Sequence, residues 1–134
     1  MDHETLEPEN PNLRMVSGSF YIPKDEKRNP KGEDAHFICA DEEAIGVADG
    51  VGSWAKHGVD AGEYARALMH NAATAARSAR TNPKTIIHSA FSASSGIAEG
   101  SSTACVVVHR YVPYFSYVNC CSLRPKLFFG HGFR

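Results

Sequence analysis

Asp34-Ala35-His36-Phe37-Ile38-Cys39-Ala40-Asp41-Glu42-Glu43-Ala44-Ile45-Gly46-Val47-Ala48-Asp49-Gly50 is the stretch on which the reading of this chain turns. Two short apolar runs, residues 35–40 and 43–48, flank Asp41-Glu42. That pattern reads as a β-hairpin, although Asp-Glu is a poorer turn pair than Asp-Gly. Its register has a chemical consequence. With Asp41-Glu42 as a two-residue loop, Ala40 faces Glu43, and counting outward Asp34 faces Asp49. With one more loop residue on the first strand, Glu33 faces Asp49 instead. Either way carboxylates meet at the open end of the hairpin, with Cβ atoms roughly 5 Å apart. Like charges placed opposite each other destabilise a sheet, so something must offset the repulsion. A hard dication does so, because Mg²⁺ and Mn²⁺ prefer carboxylate and carbonyl oxygen. Gly50 has no Cβ, so its own carbonyl can come close to such an ion. The plain alternative is a pair of acids pointing into water.

Outward from the hairpin, Gly50-Val51-Gly52-Ser53-Trp54 reads as a glycine-punctuated loop. Residues 60–80 follow as a helix, opened by Asp60 and Glu63 in the manner of a capping box. Its apolar positions 61, 65, 68, 69, 72 and 76 share one face at helical spacing. Asn82-Pro83 starts a second helix, with Asn as N-cap and Pro in the first turn. The apolar face there is Ile86, Ile87, Ala90 and Phe91, and the pattern fades near Ser95-Gly96. Residues 103–108 are β-branched and apolar and read as a buried strand, with residues 114–118 as its partner and Cys105 in the core. On the N-terminal side, residues 14–22 read as a further strand, residues 23–33 as a charged surface loop, and residues 1–13 as a loose lead-in. Strands followed by helices and then strands point to an α+β fold.

The 134 residues suit one domain. Hydrophobic residues make up 43% and charged residues 22%, and the formal net charge is -1. That balance gives no global field to recruit nucleic acid or an anionic membrane. No apolar run approaches the roughly 20 residues that span a bilayer. The first ten residues are acidic and lack an apolar core, unlike a secretory signal or an Arg-rich transit peptide, so the cytoplasm or nucleus is expected. Cys39, Cys105, Cys120 and Cys121 match no zinc module and read as reduced thiols in such a compartment. His36 and His57 read as structural or solvated rather than as ligands, and Trp54 as a core or rim aromatic.

Gly32-Glu33-Asp34-Ala35-His36-Phe37-Ile38 and Ile45-Gly46-Val47-Ala48-Asp49-Gly50-Val51-Gly52-Ser53-Trp54 together resemble the first two metal-site motifs of the 2C-type protein phosphatases. The likeness is to the plant and fungal branch that reads Asp-Gly-Val-Gly-Gly-Trp. Residues 58–66 (Gly-Val-Asp-Ala-Gly-Glu-Tyr-Ala-Arg) resemble that branch's first helix. Gly100-Ser101-Ser102-Thr103-Ala104-Cys105 resembles the start of its next strand. Four motifs in order, over residues 14 to about 109, make the resemblance specific. It implies an α-β-β-α sandwich of antiparallel sheets flanked by helices, of which this chain carries part. It also implies a serine/threonine phosphatase that acts on phosphoproteins through a metal-activated water, with two Mn²⁺ or Mg²⁺ ions. Carried over, Asp49 would bridge the ions and Gly50 would offer its carbonyl to one. Glu33 would hold the second through water, and Asp34 would bind a further ion or orient water.

Three departures go with the resemblance. Ser53 stands where the branch has a second Gly, a position at which φ > 0 would strain a serine. Asn29 stands where many relatives place a phosphate-binding Arg. After about Tyr117 the likeness fails: Asn119 leads into Cys120-Cys121-Ser122, where relatives read Asn-x-Gly-Asp-Ser. The expected division is therefore a lead-in over residues 1–13, a phosphatase portion over 14–119, and a tail over 120–134 that departs from the family. Two readings follow: a metal-dependent protein phosphatase, or a truncated, non-catalytic relative that binds a metal or a partner.

Overall fold

Strands β1 (Asp34–Cys39) and β2 (Ala44–Asp49) pair antiparallel with Asp34 opposite Asp49, the first of the two registers. The computed structural model describes residues 14–25, 29–79, 82–109 and 117–123. The ladder ends at Cys39 and Ala44, so residues 40–43 make the turn, two more than Asp41-Glu42 alone. The Glu43 N–H donates to the Ala40 carbonyl (3.1 Å), and Glu43 takes a φ of 50°. A left-handed conformation costs a non-glycine residue free energy and persists only where surroundings enforce it. Here they do. Its Oε1 accepts from the Met15 N–H (2.9 Å) and pairs with Arg14 (2.9 Å). Its Oε2 meets His109 Nδ1 (3.1 Å), and the His109 N–H donates to the Glu43 carbonyl (2.9 Å).

Those contacts make Glu43 sensitive to acid. The His109 hydrogen bond, then the Met15 N–H, hold its carboxyl below the ordinary value of 4.5, with burial opposing and Arg14 assisting. A depressed carboxyl adds stability that is fully present above its unfolded pKa and lost as the pH falls through the folded one. Thermal melts should therefore show stability dropping as the pH falls below 4.5. Glu43→Gln should flatten that acid limb.

Two helices separate the hairpin from the rest of the sheet. α1 (Ala61–Ala79) begins where the Asp60 carboxylate accepts from the Gly62 N–H (2.9 Å). The reciprocal half of the expected capping box is replaced: Glu63 is exposed, and Asp60 instead binds Arg66 and the Asn29 amide (3.1 Å). All six expected apolar positions of α1 are buried, as is Tyr64, which periodicity did not select. α2 (Pro83–Ser94) starts on Asn82, whose side chain accepts from the Lys84 N–H (2.9 Å). Asn82→Ala removes that acceptor and should cost about 1 kcal/mol in denaturant unfolding. Ile86, Ile87 and Ala90 face the core, and Phe91 lies at its margin.

β3 (Ser102–Val108) then pairs antiparallel with β2, and β4 (Tyr117–Leu123) with β3, giving the sheet order β1-β2-β3-β4. Phe37, Ala44, Ala48, Ala104, Val106 and Val108 turn one face of the sheet toward the helices. Small residues on both sides let α1 lie close. Phe37 stands opposite Gly46, and its ring fills the space a Cβ at Gly46 would need, 2.4 Å from that position.

The α+β class is as expected, and of the sandwich the described residues form one sheet and one helical layer. Four local expectations are corrected. Residues 14–22 join no ladder: Val16, Phe20 and Ile22 share one parity yet are 95%, 89% and 76% exposed, so no burial favours a strand. β3 is buried on one face, not two, which leaves Cys105 half-buried on the other and outside the core. The described partner of β3 is 117–123: it contains residues 117 and 118 of the expected 114–118, whose first three residues lie outside the described ones, and it takes in four residues assigned to the departing tail. The loop after Gly50 winds into a 3₁₀ turn, Gly52–His57. Residues 1–13, 110–116 and 124–134 lie outside the described residues. Among those described, no helix is long and apolar enough to cross a membrane.

Candidate metal centre

The open end of the hairpin is built as a loop junction. Past the Asp34–Asp49 rung, the Gly50 N–H donates to the Glu33 carbonyl (3.0 Å), and Gly50 forms a bridge with Ser102 at the head of β3. The Asp49 N–H donates to Thr103 Oγ1 (3.3 Å), the Ser102 hydroxyl to the Asp49 carbonyl (2.9 Å), and the Val51 N–H to the Ser101 carbonyl (3.0 Å). Three hydroxyl residues, 101 to 103, thus hold the backbone of residues 49–51 from the β3 side. Sequence reading noted this stretch only as the start of a strand and gave it no part in the site. A run of Ser-Ser-Thr at the start of a strand was the available signal, since such side chains bond nearby backbone readily.

Gly50 is packed on both sides. A Cβ there would lie 2.2 Å from the Ala61 carbonyl oxygen and 2.6 Å from that of Glu33. The loop therefore sits directly on the first residue of α1. A second clasp lies behind it, where Arg66 donates to the Gly32 carbonyl (3.2 Å) while bound to Asp60. Asn29, which holds the place of the family's phosphate-binding Arg, donates to Asp60. Ser53 has no positive φ, so serine replaces glycine there without strain. Trp54 is a rim aromatic: its Nε1–H donates to Ser101 Oγ (2.8 Å) and its ring meets His57 edge-on. His57 is exposed, and His36 engages Ser19 Oγ (2.9 Å).

Glu33, Asp34 and Asp49 line one cleft of about 170 Å³ with Tyr21, Lys24, Asn29 and Gly32. Asp34 is held above the ordinary carboxylate range. Burial of its carboxyl in the cleft is the main cause, followed by a hydrogen bond with Asp49 and the charges of Asp49 and Glu33, with Lys24 pulling the other way. The two aspartates face each other across the last rung of the hairpin. The Tyr21 hydroxyl braces the cleft wall, donating to the Lys31 carbonyl (3.1 Å) and accepting from the Asp34 N–H (3.4 Å). Sequence reading selects neither Tyr21 nor Lys24: Tyr21 reads as part of a strand over 14–22, and Lys24 as one of several charges in a surface loop.

A metal was expected here, and the donors suit one in part. Every candidate ligand is a hard oxygen, and a cation between Asp34 and Asp49 relieves the repulsion that raises Asp34. Glu33 stands apart, its carboxylate turned against Gly52, where a Cβ would fall 2.8 Å and 2.9 Å from its oxygens. Among the described residues no group of three Asp, Glu, His or Cys side chains gathers to hold an ion. Two facing carboxylates suit a hard dication in chemical kind, and among the described residues no third acidic side chain joins them.

No protein-family model matches the chain. Curated relatives do. The chain is 47% identical over 98 residues to "Probable protein phosphatase 2C 55" of Arabidopsis thaliana, covering 71% of this chain and 21% of that protein. Against "Probable protein phosphatase 2C 80" of the same plant it is 49% identical over 100 residues, 72% of this chain and 24% of the other. The matched stretch belongs to the protein phosphatase 2C family. A relative outside plants, "Protein phosphatase PTC7 homolog fig" of Drosophila virilis, is 39% identical over 92 residues, 61% of this chain and 29% of that protein. Among solved structures, the photosystem II phosphatase PBCP matches with a TM-score of 0.59 and 29% identity, over 66% of this chain and 36% of that one. The chain spans about a quarter or less of the two plant phosphatases' length.

Proposed function

We propose that this chain carries the first metal-binding segment of a metal-dependent protein serine/threonine phosphatase, whose substrates are phosphoserine and phosphothreonine in proteins. The observation that carries the reading is the Asp34–Asp49 rung in one cleft with Glu33, followed directly in the chain by Gly50. Asp34 and Asp49 would hold Mn²⁺ or Mg²⁺, with Gly50 adding a backbone oxygen and Glu33 reaching the site through water. Such an ion, when bound, lowers the pKa of a water and neutralises phosphoryl oxygens. The chain's own residues supply the rest. Ser102 and Thr103 fix the Asp49 backbone, so its carboxylate is aimed before any ligand arrives. Lys24 brings positive charge to the cleft wall, where a phosphate's oxygens would lie. The Tyr21 hydroxyl accepts from the Asp34 N–H, which ties residue 21 to the start of β1.

A second reading, a non-catalytic relative that binds a metal or a partner, draws support from the acids that do not converge. The two separate on one assay. The purified 134-residue chain should release phosphate from a small phosphate ester in the presence of Mn²⁺, and Asp49→Asn should abolish that release. A folded chain with no turnover above Asp49→Asn would assign it to the second reading.

A further inference from the structure

Both segments that carry the acids rest on the start of α1, and there a closed ring of hydrogen bonds joins helix to loop. The turn of residues 29–32 leads directly into Glu33 and Asp34, and the Gly32 N–H donates to the Asn29 carbonyl (3.0 Å). Asp60 holds both ends of that turn. Its Oδ1 accepts from the Asn29 amide (3.1 Å) and from the Gly62 N–H (2.9 Å). Its Oδ2 accepts from Arg66, whose other terminal nitrogen donates to the Gly32 carbonyl (3.2 Å). A guanidinium can serve two acceptors at once because its donors form a rigid planar fork. Gly62 leaves the room for it: a Cβ there would strike both the Arg66 guanidinium and the Gly32 carbonyl oxygen. Burial would raise the Asp60 carboxyl, but the Gly62 N–H, then Arg66 and Asn29, outweigh it and hold the group below its ordinary value of 3.8. Asp60 therefore stays an acceptor, and each of these three partners is a donor.

Across the rung, Gly50 follows Asp49, packs against the Ala61 carbonyl oxygen and donates to the Glu33 carbonyl. One helix start thus supports the backbone beside each aspartate. We propose that Arg66 is a positioning residue: with Asp60 and Asn29 it fixes the backbone of residues 32–34 on α1 and so sets Asp34 against Asp49 before any ion arrives. Arg66 acts through Gly32, two residues from Asp34, and takes no part in the chemistry itself. The inference rests on the phosphatase reading for what the acids bind, and on the ring alone for how they are held.

The test compares the full chain with Arg66→Ala and Arg66→Lys by two readouts. In amide hydrogen exchange without metal, Arg66→Ala should speed the Gly32 and Gly50 amides about tenfold, while the amides that pair β2 with β3 keep their rates. In calorimetry on the folded chain, Mn²⁺ affinity should fall about tenfold, the scale expected when a group that orients a ligand is lost. Arg66→Lys keeps the charge beside Asp60 without the fork, so it should show both losses. Asn29→Ala opens the ring at its other link and should give smaller losses of the same kind. A lower unfolding midpoint with wild-type amide rates and wild-type Mn²⁺ affinity would mean that Arg66 merely stabilises the fold, and the proposal would fall. Full restoration by lysine would overturn it too, because charge alone would then suffice. Should the wild-type chain take up no Mn²⁺, the phosphatase reading fails and the Gly32 and Gly50 amide rates decide the ring by themselves.

Discussion

Gly50→Ala should unfold much of the chain's margin of stability, by about 3 kcal/mol, the upper end of the usual cost of overpacking a tight site. The new methyl group would be placed 2.2 Å from the Ala61 carbonyl oxygen and 2.6 Å from that of Glu33. Both are backbone atoms, so neither can turn aside as a side chain can. Relief requires moving the loop off α1 or moving Glu33 away from Gly50. The second option breaks the Gly50–Glu33 hydrogen bond as well. Domains of this size keep only about 5–15 kcal/mol in hand, so the shift in denaturant midpoint should be plain. Gly18→Ala is the matched control, because a Cβ there meets nothing within 4 Å. Equal midpoints for the two variants would show that the loop is not held against the helix.

Asp49→Asn should act in opposite directions on stability and on ion binding. Without metal, Asp34 and Asp49 face each other and raise Asp34 above its ordinary range. Replacing one carboxylate by an amide removes a like-charge rung and should stabilise the metal-free chain by about 0.5 kcal/mol. The same change removes one of two charged ligands from the proposed ion. Mn²⁺ affinity by calorimetry should fall about a hundredfold or more, beyond the loss seen for residues that merely orient ligands. A functional carboxylate pair gives this reversal of sign; a solvated pair gives no change in either quantity. Asp34→Asn should behave alike, whereas Glu33→Gln should alter affinity less, since its carboxylate is turned toward Gly52.

Much of this was legible in the chain because it is local. The hairpin follows from two apolar runs, a count of turn residues leaves two registers of which the structure takes the first, and the helices follow from spacing and from Asn82-Pro83. The turn was harder, because Glu43 adopts its left-handed conformation through contacts with Arg14, Met15 and His109 that lie far away in sequence. Residues 14–22 carry a strand-like alternation, but alternation predicts a strand only where one face is buried, and theirs is not. Cys105 was assigned to the core because its neighbours are apolar; period two assigns it to the other face once β3 is known to be covered on one side. At the candidate site the acids were visible and their supports were not. Ser101, Ser102, Thr103 and Tyr21 act through hydrogen bonds to backbone and side chains distant in sequence, which the apolar pattern does not register.

The order in which the chain closes gives the acid rung a kinetic character. Asp34 and Asp49 are 15 residues apart, and a hairpin of that size zips from its turn in about 1–10 μs. Their rung lies at the far end of the zip. The bonds that pin the next residues, Gly50 to Ser102 and Val51 to Ser101, join segments about 50 residues apart across both helices. Contacts of such separation form late and set the pace of folding. An isolated peptide of residues 33–50 should therefore fray at its acidic end. In stopped-flow refolding, the ability to take up Mn²⁺ should appear with the slow phase that docks β3, and not with the fast one.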